Sequence, residues 1–108
     1  MKKTIESIDF TKGNGIVPVI VQDANSKQVL TLAYTNKESL ELTKKTGNSW
    51  FWSRSRNKLW MKGEESGNTQ KVKEILVDCD SDALIYLVEP SGPACHTGED
   101  TCFHNRTG

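Results

Sequence analysis

The sequence predicts an α+β domain that is rich in β-strands, contains one substantial helix and ends in an irregular C-terminal loop. Runs of β-branched and aliphatic residues, bounded by turn signals, occur at residues 16–22, 28–34, 72–78 and 83–88. One stretch, residues 37–46, carries helix start and stop signals. Beyond Pro90, glycines and a proline interrupt any regular element. We expect the strands to form a small mixed sheet or a barrel-like sheet.

The elements follow one another without a linker or a repeat. The first two strands are predicted to form a hairpin across the turn signal at residues 23–26. Asn36 is a candidate N-cap for the helix and Gly47 a candidate stop, with acidic residues near the start and lysines near the end. Residues 49–53 and 59–61 predict a second, aromatic hairpin. The helix has a thin apolar face, which consists of Leu40 and Leu42.

Length, net charge and cysteine count limit the classes of protein to which this chain can belong. A chain of 108 residues is expected to form a single domain, residues 1–108. Its 14 basic and 14 acidic residues give a formal net charge of +0, which argues against a nonspecific nucleic-acid or membrane binder. Apolar runs are too short to span a bilayer, and we expect a cytoplasmic protein. Three cysteines, an odd number, fit reduced thiols better than a disulfide framework.

Three aspartates alternate with other residues in one short segment: Asp78, Asp80 and Asp82. If this segment is extended, the three carboxylates share one face and Cys79 points to the other. Clustered carboxylates repel one another, and a divalent cation such as Mg²⁺ or Ca²⁺ relieves the repulsion. The pattern therefore predicts a cation site, and a solvated acidic turn is the alternative.

The three cysteines, Cys79, Cys95 and Cys102, do not follow the spacing of a zinc finger. Three thiolates would leave a tetrahedral Zn²⁺ one open position, where a bound water becomes acidic enough to act as a nucleophile. His96 is then a candidate for proton transfer. Either His96 or His104 could instead close the site as a fourth ligand, and three unrelated buried thiols are a further alternative. Because Cys79 and the carboxylates would point apart, a symmetric dimer could gather both metals at one centre.

A basic and aromatic segment offers groups that suit a phosphorylated ligand. Arginine and lysine side chains bind phosphate, hydroxyl groups add donors, and aromatic rings can stack on a base. The alternative is a solvated basic hairpin beside core aromatic residues. The candidate binding residues are Ser53, Arg54, Ser55, Arg56, Trp60, Lys62 and Ser66.

Several motifs in one order resemble the phosphoribosyl-AMP cyclohydrolase family. They are VQD at residues 21–23, LAY at 32–34, WSRSR at 52–56, LWMKGE at 59–64, SG at 66–67, DCDSDA at 78–83 and ACHTG at 94–98. The resemblance covers residues 16–103. One departure is Thr35, which stands where methionine is usual before Asn36.

The resemblance implies an enzyme of histidine biosynthesis. Such an enzyme opens the purine ring of phosphoribosyl-AMP at the N1–C6 bond with a zinc-activated water, giving the formimino-aminoimidazole carboxamide ribotide. The resemblance implies a homodimer with one Zn²⁺ and one Mg²⁺ per subunit, and with one zinc-binding thiolate from the partner subunit. The implied zinc ligands are Cys79, Cys95 and Cys102. The implied magnesium ligands are Asp78, Asp80 and Asp82.

A second hypothesis belongs to another functional class. The chain could be a small zinc-stabilised module that binds nucleotides or nucleic acid through Arg54 and Arg56 without performing chemistry. Such a module would have a fourth protein ligand that closes the zinc site, whereas the enzyme would keep an exchangeable water there.

Overall fold

The computed structural model describes residues 4–108 and has the predicted α+β class. The first three residues of the predicted domain 1–108 lie outside the described residues. Two short 3-10 turns, Ile5–Ser7 and Thr11–Gly13, precede the first strand. The strands and the helix, in chain order, are β1 (Ile16–Asp23), β2 (Val29–Asn36), α1 (Lys37–Thr46), β3 (Trp50–Ser53), β4 (Lys58–Met61), β5 (Gln70–Val77) and β6 (Leu84–Pro90).

The main sheet is mixed and open, with the strand order β2-β1-β6-β5. The β1–β2 and β5–β6 pairs are antiparallel hairpins, whereas β1 and β6 run parallel. The mixed-sheet prediction is confirmed. The barrel-like alternative is wrong, because β2 and β5 form the two edges and β3 and β4 form a separate two-stranded sheet. In the part of the chain that the structure describes, no helix is long and apolar enough to cross a membrane.

The helix begins and ends where the sequence predicts. The Asn36 side chain accepts a hydrogen bond from the Ser39 N–H at 2.8 Å, and the Ser39 hydroxyl accepts one from the Asn36 N–H at 2.9 Å. This capping box satisfies backbone donors that the first helical turn leaves without partners. At the other end, Gly47 has a φ of 79°, the left-handed conformation that glycine adopts at low cost.

The buried face of the helix is more polar than we expected. Leu40 is buried together with Ser39 and Thr43, whereas Leu42 is only half-buried. The Thr43 hydroxyl accepts a hydrogen bond from the Trp50 N–H at 3.0 Å and donates one to the Ser39 carbonyl at 2.9 Å. A buried hydroxyl that has these partners costs little, so a thin apolar stripe is enough to dock the helix.

The core lies between one face of the main sheet and the layer formed by α1 and the β3–β4 hairpin. Alternate residues of β1 and β6 point into it, as the period of two of a strand requires. Phe51 of β3 packs between two aromatic rings, at centroid distances of 4.9 Å to Trp60 and 5.8 Å to Tyr86. In β1 and β6 the residues that point into the core are Val17, Val19, Val21, Leu84, Tyr86 and Val88.

The opposite face of the sheet carries a continuous line of aliphatic side chains. In the strand register Leu32 pairs with Ile20, Ile20 with Ile85, and Ile85 with Leu76, so one residue comes from each of the four strands. Leu32 is 48% exposed, Ile20 39% and Leu76 38%. We call Leu32, Ile20, Ile85 and Leu76 the apolar row. Large apolar side chains that are contiguous and exposed mark interaction surfaces more often than isolated ones do.

Residues 78–82 are not extended, so the strand geometry expected for this segment is wrong. They form the turn of the β5–β6 hairpin, in which the Asp78 N–H donates to the Ala83 carbonyl at 3.0 Å. Ser81, with a φ of 60°, adopts the left-handed conformation within that turn. The predicted alternation of faces therefore does not apply, and the relative positions of Cys79 and the carboxylates follow from the turn.

Candidate active site and metal centres

The turn brings the three predicted carboxylates together. One ligand oxygen from each of Asp78, Asp80 and Asp82 lies within 4.8 Å of the others. The Asp78 carboxylate also accepts hydrogen bonds from the backbone N–H groups of Asp82, at 2.8 Å, and Ala83, at 3.2 Å. These bonds give the turn its shape and orient one ligand. Oxygen donors at this spacing suit a hard divalent cation.

The N-terminal segment packs against this acidic turn. The Asp9 N–H donates to the Ser81 carbonyl at 2.7 Å, and the Lys12 ammonium lies 3.1 Å from the Asp82 carboxylate. The hydrogen bond to Asp82 and the nearby negative charges raise the pKa of Lys12. Sequence reasoning assigned no role to residues 1–12, because a lone lysine and a lone aspartate give no local signal.

The second cluster lies in the loop that follows β6. The Cys95 thiol is buried, the Cys102 thiol lies within hydrogen-bond reach of it, and Nε2 of His104 is 3.9 Å away. The Thr97 hydroxyl donates to the Cys95 sulfur at 3.1 Å. This hydrogen bond, a second one from the Thr97 backbone N–H, and smaller contributions from His104 and Cys102 lower the pKa of Cys95 from 9.0 to about 6. A thiol with this pKa is poised to bind a metal as a thiolate.

Hydrogen bonds to backbone carbonyls of β2 hold this irregular loop against the sheet. The Cys102 N–H donates to the Leu30 carbonyl at 2.7 Å, and the Thr101 hydroxyl donates to the Val29 carbonyl at 2.6 Å. Within the loop, the Cys95 N–H donates to the Glu99 carbonyl at 3.1 Å. The loop is therefore tied to the start of β2 by contacts of its own, beside any contribution from a metal.

The third cysteine lies at the other end of the sheet. Cys79 belongs to the turn before β6, whereas Cys95 and Cys102 follow the end of β6. Seven residues of β6, at about 3.3 Å each, separate the two ends by roughly 20 Å. Among residues 4–108, the aspartates are the only three His, Cys, Asp or Glu side chains with ligand atoms this close together. One chain thus brings together two of the predicted zinc ligands, and the third lies apart.

A cavity of about 550 Å³ lies beside the cysteine loop. His96 and Cys102 form part of its wall, with Ala94 next to them. The Lys62 ammonium donates to the Ala94 carbonyl, which ties the β3–β4 layer to the loop. Five of the seven predicted binding residues line this cavity, namely Ser53, Arg56, Trp60, Lys62 and Ser66. Lys58 also lines it, although it was not among the predicted binding residues.

A second cavity, about 530 Å³, adjoins the first and is lined by the remaining two predicted binding residues, Arg54 and Ser55. The Arg54 guanidinium lies 3.7 Å from the centroid of the Tyr34 ring, a cation–π contact. Tyr34 is a residue that sequence reasoning missed as part of the site. Its only sequence signal was the LAY motif, to which no role was attached.

Two adjoining cavities with arginine and lysine side chains in their walls, beside two clusters of candidate metal ligands, are typical of a small α+β enzyme that binds an anionic substrate. A family model described as phosphoribosyl-AMP cyclohydrolase matches residues 31–104. The phosphoribosyl-AMP cyclohydrolase of Nitrosopumilus maritimus strain SCM1 is 81% identical over 105 residues, 97% of each chain. That of Cenarchaeum symbiosum strain A is 78% identical over the same shares. The bifunctional histidine biosynthesis protein HisIE of Bacillus subtilis strain 168 is 68% identical over 94% of this chain and 48% of its own length.

The chain belongs to the phosphoribosyl-AMP cyclohydrolase family, and it is a hydrolase of that type. The resemblance inferred from the motifs is confirmed. The hypothesis of a zinc-stabilised module without chemistry is wrong, because relatives at this identity over nearly the whole chain carry the name of an enzyme.

Proposed function

We propose that this protein is a single-domain, cytoplasmic enzyme that hydrolyses the N1–C6 bond of phosphoribosyl-AMP and releases the formimino-aminoimidazole carboxamide ribotide. The names of its relatives, one of which includes histidine biosynthesis, support the substrate and the pathway. The observation that carries the proposal is that His96, Cys102 and the cationic side chains of Arg56 and Lys62 line one cavity. Groups for anion binding and for hydrolysis thus lie within reach of one small ligand.

The zinc ligands that we propose are Cys95, Cys102 and Cys79 of the partner subunit. The paired thiols fit a soft cation, and the low pKa of Cys95 favours the thiolate that zinc requires. When bound with one open position, Zn²⁺ supplies an acidified water for hydrolysis. Within this chain, Thr97 stabilises the Cys95 thiolate, and the hydrogen bonds of Thr101 and Cys102 to β2 fix where the ligands lie.

A homodimer explains how the third thiolate reaches the site. Cys79 and the Cys95–Cys102 pair lie at opposite ends of β6. If two copies packed with their β6 strands antiparallel, the end that carries Cys79 in one copy would lie beside the end that carries the thiol pair in the other. The apolar row supplies the surface for this contact, since it runs across all four strands and is exposed in one chain. A two-fold axis through the row would build two equivalent sites.

We assign one Mg²⁺ per subunit to Asp78, Asp80 and Asp82. The oxygen donors lie close enough to share one ion, and Lys12 already provides a cation beside them. Since the acidic turn contains Cys79, the same antiparallel packing would carry the magnesium ligands towards the cavity of the partner subunit.

The remaining roles belong to side chains of the cavity wall. His96 is the candidate for moving protons between water and the ring nitrogen that leaves, because an imidazole ring can both accept and donate a proton. Arg56 and Lys62 attract phosphate, and Ser53 and Ser66 offer hydroxyl donors. Trp60, half-buried against Phe51, presents an aromatic surface to the purine.

The test is turnover of phosphoribosyl-AMP together with zinc content. The native protein is expected to open the ring, to lose activity when zinc is chelated, and to regain it when zinc is returned. Cys95→Ser is expected to lose zinc and activity together, whereas Thr46→Ser, on the exposed face of the helix, should retain both. Full turnover by zinc-free protein would disprove the proposed mechanism, and absence of turnover by zinc-loaded dimer would disprove the proposed substrate.

A further inference from the structure

The contact between Arg54 and Tyr34 organises the second cavity. The guanidinium lies 3.7 Å from the ring centroid, and both side chains line the cavity. Arg54 is exposed and, among residues 4–108, it forms no ion pair with a carboxylate. It is also the only charged side chain in the wall of this cavity as far as the structure describes the chain. Its charge is therefore available to an anionic group that enters the cavity.

The two cavities are adjacent halves of one larger depression. Leu32, Ala33, Ser53 and Trp60 line both of them. The first cavity contains Arg56 and the second contains Arg54, so each half has one guanidinium. The proposed substrate has matching chemistry, because its phosphoribosyl group and its AMP group each end in a phosphate, with the purine between them. A ligand with two anionic ends fits two cavities that each contain a guanidinium and that share an apolar and aromatic wall.

We propose that the second cavity is the subsite for one of the two phosphates of the substrate, and that Tyr34 is a positioning residue that holds Arg54 for it. This inference rests on the proposed function. The Tyr34 ring lies on one side of the guanidinium, and among residues 4–108 no ion pair engages Arg54, so its N–H edge can turn towards a phosphate. That edge can donate two parallel hydrogen bonds to a phosphate, the geometry in which arginine differs from lysine.

The stacking contact also limits the entropy that Arg54 loses when it binds. An exposed arginine samples many rotamers, and immobilising it costs part of the binding free energy. A guanidinium that already rests on an aromatic face is partly immobilised before the ligand binds, so it loses less conformational entropy on binding. Tyr34 should therefore act on substrate affinity and leave the bond-breaking step, which takes place beside Cys102 and His96, largely unchanged.

The experiment compares KM and kcat for ring opening of phosphoribosyl-AMP in zinc-loaded native protein and in variants. Tyr34→Leu is expected to raise KM about five- to tenfold, with kcat changed less than about threefold, since cation–π contacts of this kind contribute modestly. Tyr34→Phe keeps the aromatic face and should restore KM to within about twofold of the native value. Arg106→Lys, an exposed arginine of the C-terminal segment, is the matched control for the arginine change.

Arg54→Lys and the double variant test whether Tyr34 acts through Arg54. Arg54→Lys keeps the charge but loses the flat fork, so KM should rise about tenfold. In that background, Tyr34→Leu should add less than about twofold, because residues that act through one contact are not additive. If Tyr34→Leu does not fold, KM of Arg54→Lys alone still tests the inference. Because Arg54 is exposed, this substitution should not disturb folding.

Three outcomes would overturn the inference: an unchanged KM in Arg54→Lys, a Tyr34→Phe variant as weak as Tyr34→Leu, or full additivity in the double variant. Each of these leaves turnover by the native protein intact. The proposed function fails differently, because native protein would then show no ring opening at all.

Discussion

The Lys12 ammonium lies 3.1 Å from the Asp82 carboxylate and joins the N-terminal segment to the acidic turn that contains the candidate magnesium ligands. Nearby Asp80 adds to the negative potential at the same ammonium. A protein cation thus lies beside the carboxylates that a divalent metal would bind. Lys12 and the metal should compete for the carboxylates, and this competition can be measured.

Lys12→Met should strengthen the binding of Mg²⁺ or Mn²⁺ to the acidic turn. The affinity should rise because the metal no longer has to displace the Lys12 ammonium from Asp82. The expected gain in affinity is only about two- to fivefold, because an exposed ion pair contributes little free energy. Isothermal titration calorimetry on the native protein, on Lys12→Met and on a control variant would measure the difference in affinity. The control is Lys45→Met, which changes a lysine on the exposed side of the helix. Weaker binding in Lys12→Met would show instead that Lys12 supports the site.

Asp80→Asn should weaken divalent-cation binding at least tenfold without lowering thermal stability. Asp80 is exposed, so its loss removes charge and a ligand but leaves the turn intact. Asp100→Asn, an exposed change in the cysteine loop, is the matched control for charge. Calorimetric titration with Mn²⁺, paired with thermal melts, separates the two effects, and equal affinity in Asp80→Asn and native protein would contradict the assignment.

Thr97→Val should raise the pKa of the Cys95 thiol in metal-free protein. The Thr97 hydroxyl is the largest cause of the lowering to about 6, and Thr97→Ser, which keeps a hydroxyl, should leave most of the lowering in place. Titration of the ultraviolet absorbance of the thiolate measures the change, and the difference between variants isolates Cys95. Identical titrations for the valine and serine variants would disprove the role of this hydroxyl.

The lowered pKa of the Cys95 thiol predicts how the stability of the metal-free protein depends on pH. Its pKa in the folded state, about 6, lies below its ordinary value of 9.0, so the ionised form favours folding. The contribution is complete above pH 9.0 and is lost as the pH falls through about 6. Thr97→Val should raise the pKa of Cys95 in the folded state, so its contribution to stability should be lost at a higher pH than in the native protein. Chemical denaturation at several pH values measures this change in the free energy of unfolding.

Leu76→Glu should dissociate the proposed homodimer. The substitution places a charge in the apolar row, where packing of two copies would bury it without a partner. Lys45→Glu alters charge on the exposed side of the helix and should leave the dimer intact. Sedimentation velocity measures the outcome. A native protein that is monomeric and fully active after dilution would refute the shared site.

Mixing two inactive variants should restore activity. Cys79→Ser and Cys102→Ser each remove a proposed zinc ligand from both sites of the proposed homodimer. In a mixed dimer, one site receives intact Cys95, Cys102 and Cys79, so equal mixing should recover about one quarter of the native activity. Turnover after unfolding and refolding the mixture checks this. No recovery, with mixed dimers demonstrated by mass spectrometry, would contradict a zinc site that takes Cys79 and Cys102 from different chains.

Local sequence signals predicted the elements that local physics determines. Asn36 and Gly47 bound the helix as expected, because capping depends on a few neighbouring residues. A run of β-branched residues followed by the turn signal at residues 23–26 predicted the β1–β2 hairpin. Residues 78–82 were misjudged because alternating aspartates look the same in a strand and in a turn, and only the pairing of β5 with β6 decides between them.

The sequence by itself determined the class of fold, the ends of the helix and the inventory of carboxylates, thiols and cations that the chemistry requires. Only the tertiary structure decided where they meet. It placed Cys79 and Cys95 at opposite ends of β6, brought Arg54 onto Tyr34, and set Lys12 against Asp82. The physical reason is that capping and alternation act within a few residues, whereas these contacts join segments far apart in the chain. Such contacts depend on strand order, and the parallel pairing of β1 with β6 is a choice that no local pattern records.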